Sequence, residues 1–298
     1  MKIRIGYGLG TQGMPGDGEA YARFIDDLER LQFDSVWFSE RINGNAPDPG
    51  SAMSFAAGRT KKLKFGMSVM VLPGRNPVLV AKEMASIDLL SNGRLLPAFG
   101  LGAPDPREHS GFGVDRKERA PMFNEALGLM RRLWAEDDVD HTGTYYSCKG
   151  ISLRPRPKKP LEVWLGGIAP SELRRVGRLA DGWLPSFITS DEALGARKTV
   201  QEAATEAGRE IDPEHFGALI VYSSGAPLGG AFIDRIRARR PDVDPGDLFP
   251  VGMDATRAMV ERFVEAGYSK FVMLPAAPVA DMTDELELVA QELLPLEN

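Results

Sequence analysis

The chain has one cysteine, Cys148, and three histidines in 298 residues. A single thiol excludes an intrachain disulfide and fits a reducing compartment. His109, His141 and His215 are far apart, and no Cys/His cluster has metal-ligand spacing, so no metal site is expected. Positive charge is not in excess. The formal net charge of −6 argues against a nucleic-acid partner. No apolar run approaches the ~20 residues needed to span a bilayer. The first residues, MKIRIGYGLG, are too short and glycine-rich a stretch for a signal peptide. Neither a G-x-S-x-G elbow nor a Walker sequence is present, and no internal repeat or low-complexity tract is evident. These absences lead to an expectation of a soluble, cytoplasmic protein that acts on a small molecule. A hydrophobic content of 43% beside 26% charge is that of an ordinary globular enzyme.

What is present is organised around residues 61–102. Leu63 to Val71 is an apolar, β-rich run stopped by Pro73-Gly74. Asn76-Pro77 opens a helix, and Val80, Met84, Ile87 and Leu90 recur on one face. Ser91-Asn92-Gly93 closes it, and a second apolar run, Leu95 to Leu101, ends in Gly-Leu-Gly. Strand, helix and strand in about forty residues form a right-handed βαβ unit. Neither strand alternates apolar with polar residues, as expected of a parallel sheet buried on both faces.

The same rhythm runs along the chain. Strands are expected at 3–9, 35–39, 63–71, 95–101, 161–165, 182–187, 215–222 and 270–274. Helices are expected at 19–31, 49–59, 76–91, 118–135, 170–180, 191–207, 233–240, 256–266 and 284–294. The expected fold is α/β, a (β/α)₈ TIM barrel in one domain over 1–298. A hairpin insertion with a proline-stiffened connector, 139–160, lies between strands four and five. Residues 225–252 are rich in Gly, Pro and Asp and read as irregular.

Sites of parallel α/β folds lie at the carboxyl ends of strands. Gly100 and Gly102 there either let a flat ligand approach the backbone or make a tight turn. Gly166-Gly167 precedes a helix amino terminus, where backbone N–H groups can hold a phosphate; a plain βα turn is the other reading. Glu40-Arg41 ends strand two and either faces the barrel mouth or forms a mutual surface ion pair. His109 follows strand four and is a candidate general acid or base.

Three ordered blocks carry a family resemblance: FDSVWFSE at 33–40, GMSVMVLPGRNPVLVAKEMASIDLLSNGRLLPAFGLG at 66–102, and LGGIAPSELRRVGRLADGWLP at 165–185. Together they resemble the bacterial luciferase-like monooxygenase family, closely over 21–185 and loosely beyond. The resemblance implies a (β/α)₈ barrel that holds a flavin such as FMN or the deazaflavin coenzyme F420. It implies a bulge in strand three, often with a non-proline cis peptide, matching Ser68-Val69. It places Gly166, Gly167 and Ile168 on a cofactor phosphate. Leu9, Gly100, Leu101, Gly102 and Trp183 would line the ring or its tail, and Trp183 reads equally well as a core residue. It also implies a homodimer formed through helices near strands two to four.

Two departures bear on function. Many relatives have a histidine after the strand-two acid, where this chain has Arg41, which stays protonated and suits an anion rather than a base. Sugar-phosphate dehydrogenases of the family have a catalytic Glu where this chain has Ala103, which speaks against glucose-6-phosphate oxidation. The resemblance therefore points to an F420-dependent oxidoreductase passing a hydride to or from a small organic substrate. Arg41, Glu40 and His109 are the catalytic candidates. An FMN-dependent monooxygenase and a non-catalytic flavin-binding barrel are the alternatives.

Overall fold

The computed structural model describes residues 1–13 and 16–298. The chain opens with β1 (Arg4–Gly8), α1 (Gly18–Arg30), β2 (Ser35–Phe38) and α2 (Pro49–Arg59). The organising region follows as β3 (Lys64–Met67), β4 (Met70–Val71), α3 (Pro77–Leu90), β5 (Leu95–Leu96) and β6 (Ala98–Gly100). Next come α4 (Pro106–Gly111), α5 (Arg119–Ala135), β7 (Val139–Thr142) and β8 (Ser147–Ile151). The second half holds β9 (Trp164–Leu165), α6 (Pro170–Leu179), β10 (Gly182–Trp183), α7 (Ser190–Glu206) and β11 (Gly217–Tyr222). It finishes with α8 (Gly230–Arg239), α9 (Pro245–Leu248), α10 (Met253–Glu265), β12 (Lys270–Pro275) and α11 (Met282–Leu293).

The parallel strands lie in two sheets, ordered β11-β12-β1-β2-β3-β5 and β10-β9-β6-β4. Two expected strands are each split between them. The run 64–71 breaks at a cis Ser68-Val69 peptide, and the run 95–100 breaks at Pro97. Proline has no N–H to give the ladder, so its sheet pairing lapses there. The Pro97 carbonyl still accepts from the Trp164 N–H at 2.8 Å. Strands five and six are shorter than expected, and single parallel bridges, Trp183↔Phe216 and Ser186↔Leu219, link this edge to β11.

The main core lies between strands and helices, with Phe24, Ile25 and Leu28 of α1 and Val80, Met84 and Ile87 of α3 buried in it. Leu90, expected on the same stripe, is the last residue of α3 and is 76% exposed. A second cluster draws Trp37, Ala98, Trp164, Leu184, Val272 and Leu274 from both sheets. Strand glycines make room for its tryptophans. A Cβ on Gly66 would lie 2.9 Å from the Trp37 ring, and one on Gly182 would lie 2.4 Å from Trp164.

Residues 139–151 form an antiparallel pair held by α5. Glu125 accepts from the N–H groups of Thr144, Tyr145 and Tyr146, and from His141 Nε2 at 3.2 Å. The 225–252 segment is more ordered than its composition suggests. Its α8 and α9 pack Ile236, Leu248 and Phe249 into a third apolar cluster. Helix α4 was not expected, although Asp105 before Pro106 is an N-cap signal and accepts from the Arg107 N–H at 3.0 Å. No helix among the described residues is long and apolar enough to cross a membrane.

Candidate functional site

The strands are buried, but Ser68, Val69, Gly100–Gly102 and Gly166–Ile168 at their carboxyl ends are all half-buried. Contacts tie the ends of strands two, three and four together. Ser39 Oγ lies 3.1 Å from Ser68 Oγ, and the Ser68 N–H donates to the Phe38 carbonyl at 2.8 Å. After the cis bond, the Leu72 N–H donates to the Gly100 carbonyl at 3.2 Å. The Val69 side chain fills the space beside Gly100, where a Cβ would come within 2.4 Å of it. The glycine is thus required by Val69. Gly102 (φ +81°) likewise faces Val71, whose side chain lies 3.1 Å from a built Cβ. Both glycines serve close packing against strand three on the side where a side chain would project. Leu9, at the end of β1, is buried in the main core.

Glu40 and Arg41 do not pair with each other. Successive residues at a strand end point to opposite sides. Glu40 turns to strand three, accepts from the Val71 N–H at 2.6 Å and pairs with Arg75. Burial pushes its carboxyl pKa up, against the lowering by Arg75 and the Val71 N–H. Arg41 turns to α4, 3.3 Å from Asp105 and 3.4 Å from Glu108. Glu108 is buried and also accepts from the N–H groups of Ile42 and Asn43, both at 3.1 Å. Burial alone would raise its pKa, but those N–H donors and Arg41 hold it below the usual range. A cleft of about 440 Å³ opens here, lined among others by Glu40, Arg41, Asp48, Arg75 and Phe112. It adjoins the row of strand ends without including the glycine pair.

His109 lies on α4, with Nε2 3.0 Å from the Ala103 carbonyl oxygen. Arg119 Nη1 donates to the carbonyls of Leu101, Gly102 and Ala103 at 3.1, 2.9 and 3.3 Å. Together they fasten the loop after strand four, a role different from the proton transfer considered for His109.

At the glycine pair, Gly167 has φ +97°, a conformation that favours glycine. The Trp183 indole N–H donates to the Gly167 carbonyl at 2.9 Å. Trp183 is 0% exposed, so it holds the turn from within the core and does not offer a ring face to a ligand. The Ile168 N–H, expected to meet a phosphate, donates to Glu172 Oε2 at 3.0 Å, as does the Ala169 N–H. Glu172 was not singled out in the sequence, yet it stands at the third position of α6, from which a glutamate reaches back to the helix start. Arg75 and Arg119 were also missed. Arg75 follows Gly74 in the turn after strand three and Arg119 opens α5, and only the fold shows what each holds.

The profile of the luciferase-like monooxygenases matches residues 2–226, and the chain belongs to this family. An F420-dependent glucose-6-phosphate dehydrogenase of Beutenbergia cavernae is 29% identical, over 98% of this chain and 97% of its own. An F420-dependent secondary alcohol dehydrogenase, solved with an F420-acetone adduct, superposes with a TM-score of 0.85 at 21% identity over the whole of both chains. The oxygenating constituent of 3,6-diketocamphane monooxygenase from Pseudomonas putida, solved with FMN, superposes with a TM-score of 0.81 at 20% identity, covering 100% of this chain and 99% of that one. At these identities the two superpositions establish the α/β fold.

Proposed function

We propose that this protein is an F420-dependent oxidoreductase that passes a hydride to or from a small organic substrate. The observation that carries the reading is the end-to-end correspondence with a relative whose name states F420 dependence. The strand-end row supports it. Ser39, Ser68 and Val69 present an irregular backbone at the carboxyl ends of the sheet, where this class of fold places its ligands. The N–H groups of Ile168 and Ala169 are taken by the Glu172 carboxylate, so a ligand anion on them would have to displace it. Gly166, Gly167 and the nearby Arg119 would hold the cofactor phosphate, and Val69, Gly100, Leu101 and Gly102 would line the ring. When bound, F420 supplies the hydride chemistry. The protein supplies orientation. Glu40 fixes Val71 next to the bulge, and Arg75 and Arg41 frame the polar cleft beside it.

We take the strands 4–8, 35–38, 64–71, 95–100, 164–165, 182–183, 217–222 and 270–275 as one closed (β/α)₈ barrel in a single domain. The pair β7-β8 is then an insertion anchored on α5. The substrate is a small alcohol or carbonyl compound rather than a sugar phosphate, because Ala103 stands where the family's sugar-phosphate dehydrogenases carry a glutamate. The protein acts in the cytoplasm as a homodimer. Its interface is the outer face of α2 and α3, where Phe55, Leu79 and Leu90 are exposed. Light scattering tests this, and a monomer mass would refute the dimer. The enzymatic reading is tested by mixing protein and F420 with a panel of secondary alcohols and ketones. Substrate-dependent change in the F420 absorbance supports it. F420 that binds but never turns over with any member returns the protein to a binding role. The second reading, an FMN-dependent monooxygenase, is favoured by the family's own description.

A further inference from the structure

We propose that Phe187 is a specificity-determining residue. With Val221, Leu228 and Phe232 it forms an apolar wall at the carboxyl ends of strands six and seven, and this wall takes the hydrocarbon substituent of an alcohol or ketone substrate. The role rests on the oxidoreductase reading above and narrows the substrate to an apolar one.

The wall is continuous with the surface under the proposed ring site. Val69, at the bulge of strand three, and Val221, near the end of β11, are both half-buried, and both pack against the cluster around Trp37 and Trp164. Val221 also packs against the third cluster, around Phe249, where Phe187, Leu228 and Phe232 stand half-buried. Phe187 supplies a second, independent observation. Its φ is +60°, in the left-handed region. The other non-glycine residues there among the described residues are Gln32, Asn92 and Asp138, all polar. A bulky apolar side chain in that region is an outlier, and such strain persists where the surroundings over-determine it, most often at ligand sites. Here two adjacent arginines do so. Buried Arg240 donates to the Phe187 carbonyl at 2.6 Å and is itself held by Glu192 and Asp242 at 2.6 and 3.0 Å. Arg239 lies over the ring, 4.2 Å from its centroid, and Phe249 meets the ring edge-on with centroids 5.6 Å apart. The polar cleft of Arg41 and Arg75 lies at the ends of strands two and three, and the apolar wall at the ends of strands six and seven. A substrate with one polar carbon and a hydrocarbon arm matches that division.

The test is F420 turnover with straight-chain secondary alcohols from 2-propanol to 2-octanol. Each alcohol gives a hydride to the cofactor and its hydroxyl proton to water as it becomes the ketone. In wild type kcat/KM should rise about fourfold per added methylene over the first few members, the gain for moving one methylene out of water. Phe187→Gly removes the ring and suits φ +60°, so it keeps the turn, and its rise should fall to about twofold or less per methylene. Phe187→Leu keeps an apolar side chain and should retain most of the rise. Phe232→Ala thins the wall from α8 and should also flatten it, so the test does not depend on one variant folding; melting curves check each. A wild-type series with no dependence on length, or a Phe187→Gly series as steep as wild type, would overturn the role and leave the oxidoreductase reading standing. A residue that merely anchors α8 would lower the melting temperature and slow every alcohol by one common factor, and that result is the same refutation. Wild type that binds F420 but turns over none of the alcohols or their ketones would instead sink the oxidoreductase reading, and the role of Phe187 with it.

Discussion

Asp34 offers a test of how the two ends of the sheet divide their work. It precedes β2, has a side chain only 6% exposed, and lies 2.8 Å from Lys270 Nζ, 2.7 Å from Lys64 Nζ and 3.6 Å from Arg4 Nε. These partners all sit at the amino ends of strands, the face that stabilises this class of fold. Burial would raise the Asp34 pKa, but the charges and hydrogen bonds of Lys270 and Lys64 outweigh it and hold the carboxyl at about 2, against an ordinary 3.8. A depressed carboxylate pKa gives stability that is present above the unfolded value and lost as pH falls through the folded one. The depression corresponds to about 2 kcal/mol at neutral pH, lost from roughly pH 4 down to pH 2. Asp34→Asn should cost more, about 3–5 kcal/mol, because it strands the ammonium of Lys270, which is buried. Urea unfolding of both proteins between neutral and acid pH measures this. The gap between them should narrow as the wild-type carboxyl protonates, while F420 affinity of the folded variant stays unchanged. A variant within about 0.5 kcal/mol of wild type at neutral pH, or a gap that does not vary with pH, would refute the reasoning.

Two further substitutions probe the other end. Gly167→Val puts a β-branched side chain at φ +97° and within 2.7 Å of Glu172. It should cost about 2–3 kcal/mol in backbone strain and lost capping and weaken F420 by more than about tenfold; an unchanged melting curve and affinity would mean that the turn is built differently. Arg41→Ala removes two ion pairs from a side chain that is one-third exposed, so it should cost about 1 kcal/mol or less. Glu108→Ala leaves the Ile42 and Asn43 N–H groups without their acceptor and should cost about 2–4 kcal/mol. Urea midpoints rank the two, and the opposite order would show that Arg41 carries the loop.

Much of the fold was legible because apolar runs and glycine or proline stops mark parallel strands. β1, β2 and β11 fall inside the expected ranges for that reason, and β12 exceeds its range by one residue. The break at Ser68-Val69 has no signature in composition or periodicity, and only the family resemblance pointed to it. The break at Pro97 is marked by a proline, but the apolar residues on both sides of it make the run look continuous. Helix α4 had its cap in plain view at Asp105-Pro106. The site was less legible because its partners are distant in sequence. Arg41 and Asp105 are 64 residues apart, and Val71 and Glu40 are 31 apart. Glycines at strand ends suggested open space, whereas Val69, Val71 and Glu172 fill it. Such packing is a property of the folded neighbourhood, which the local spacing does not encode.

The measurement that tests the central claim most directly is a titration of the purified protein with oxidised F420 and, separately, with FMN, followed by ligand fluorescence. Micromolar binding of F420 with much weaker binding of FMN is the predicted result. Tight binding of FMN alone, or of neither, would contradict it.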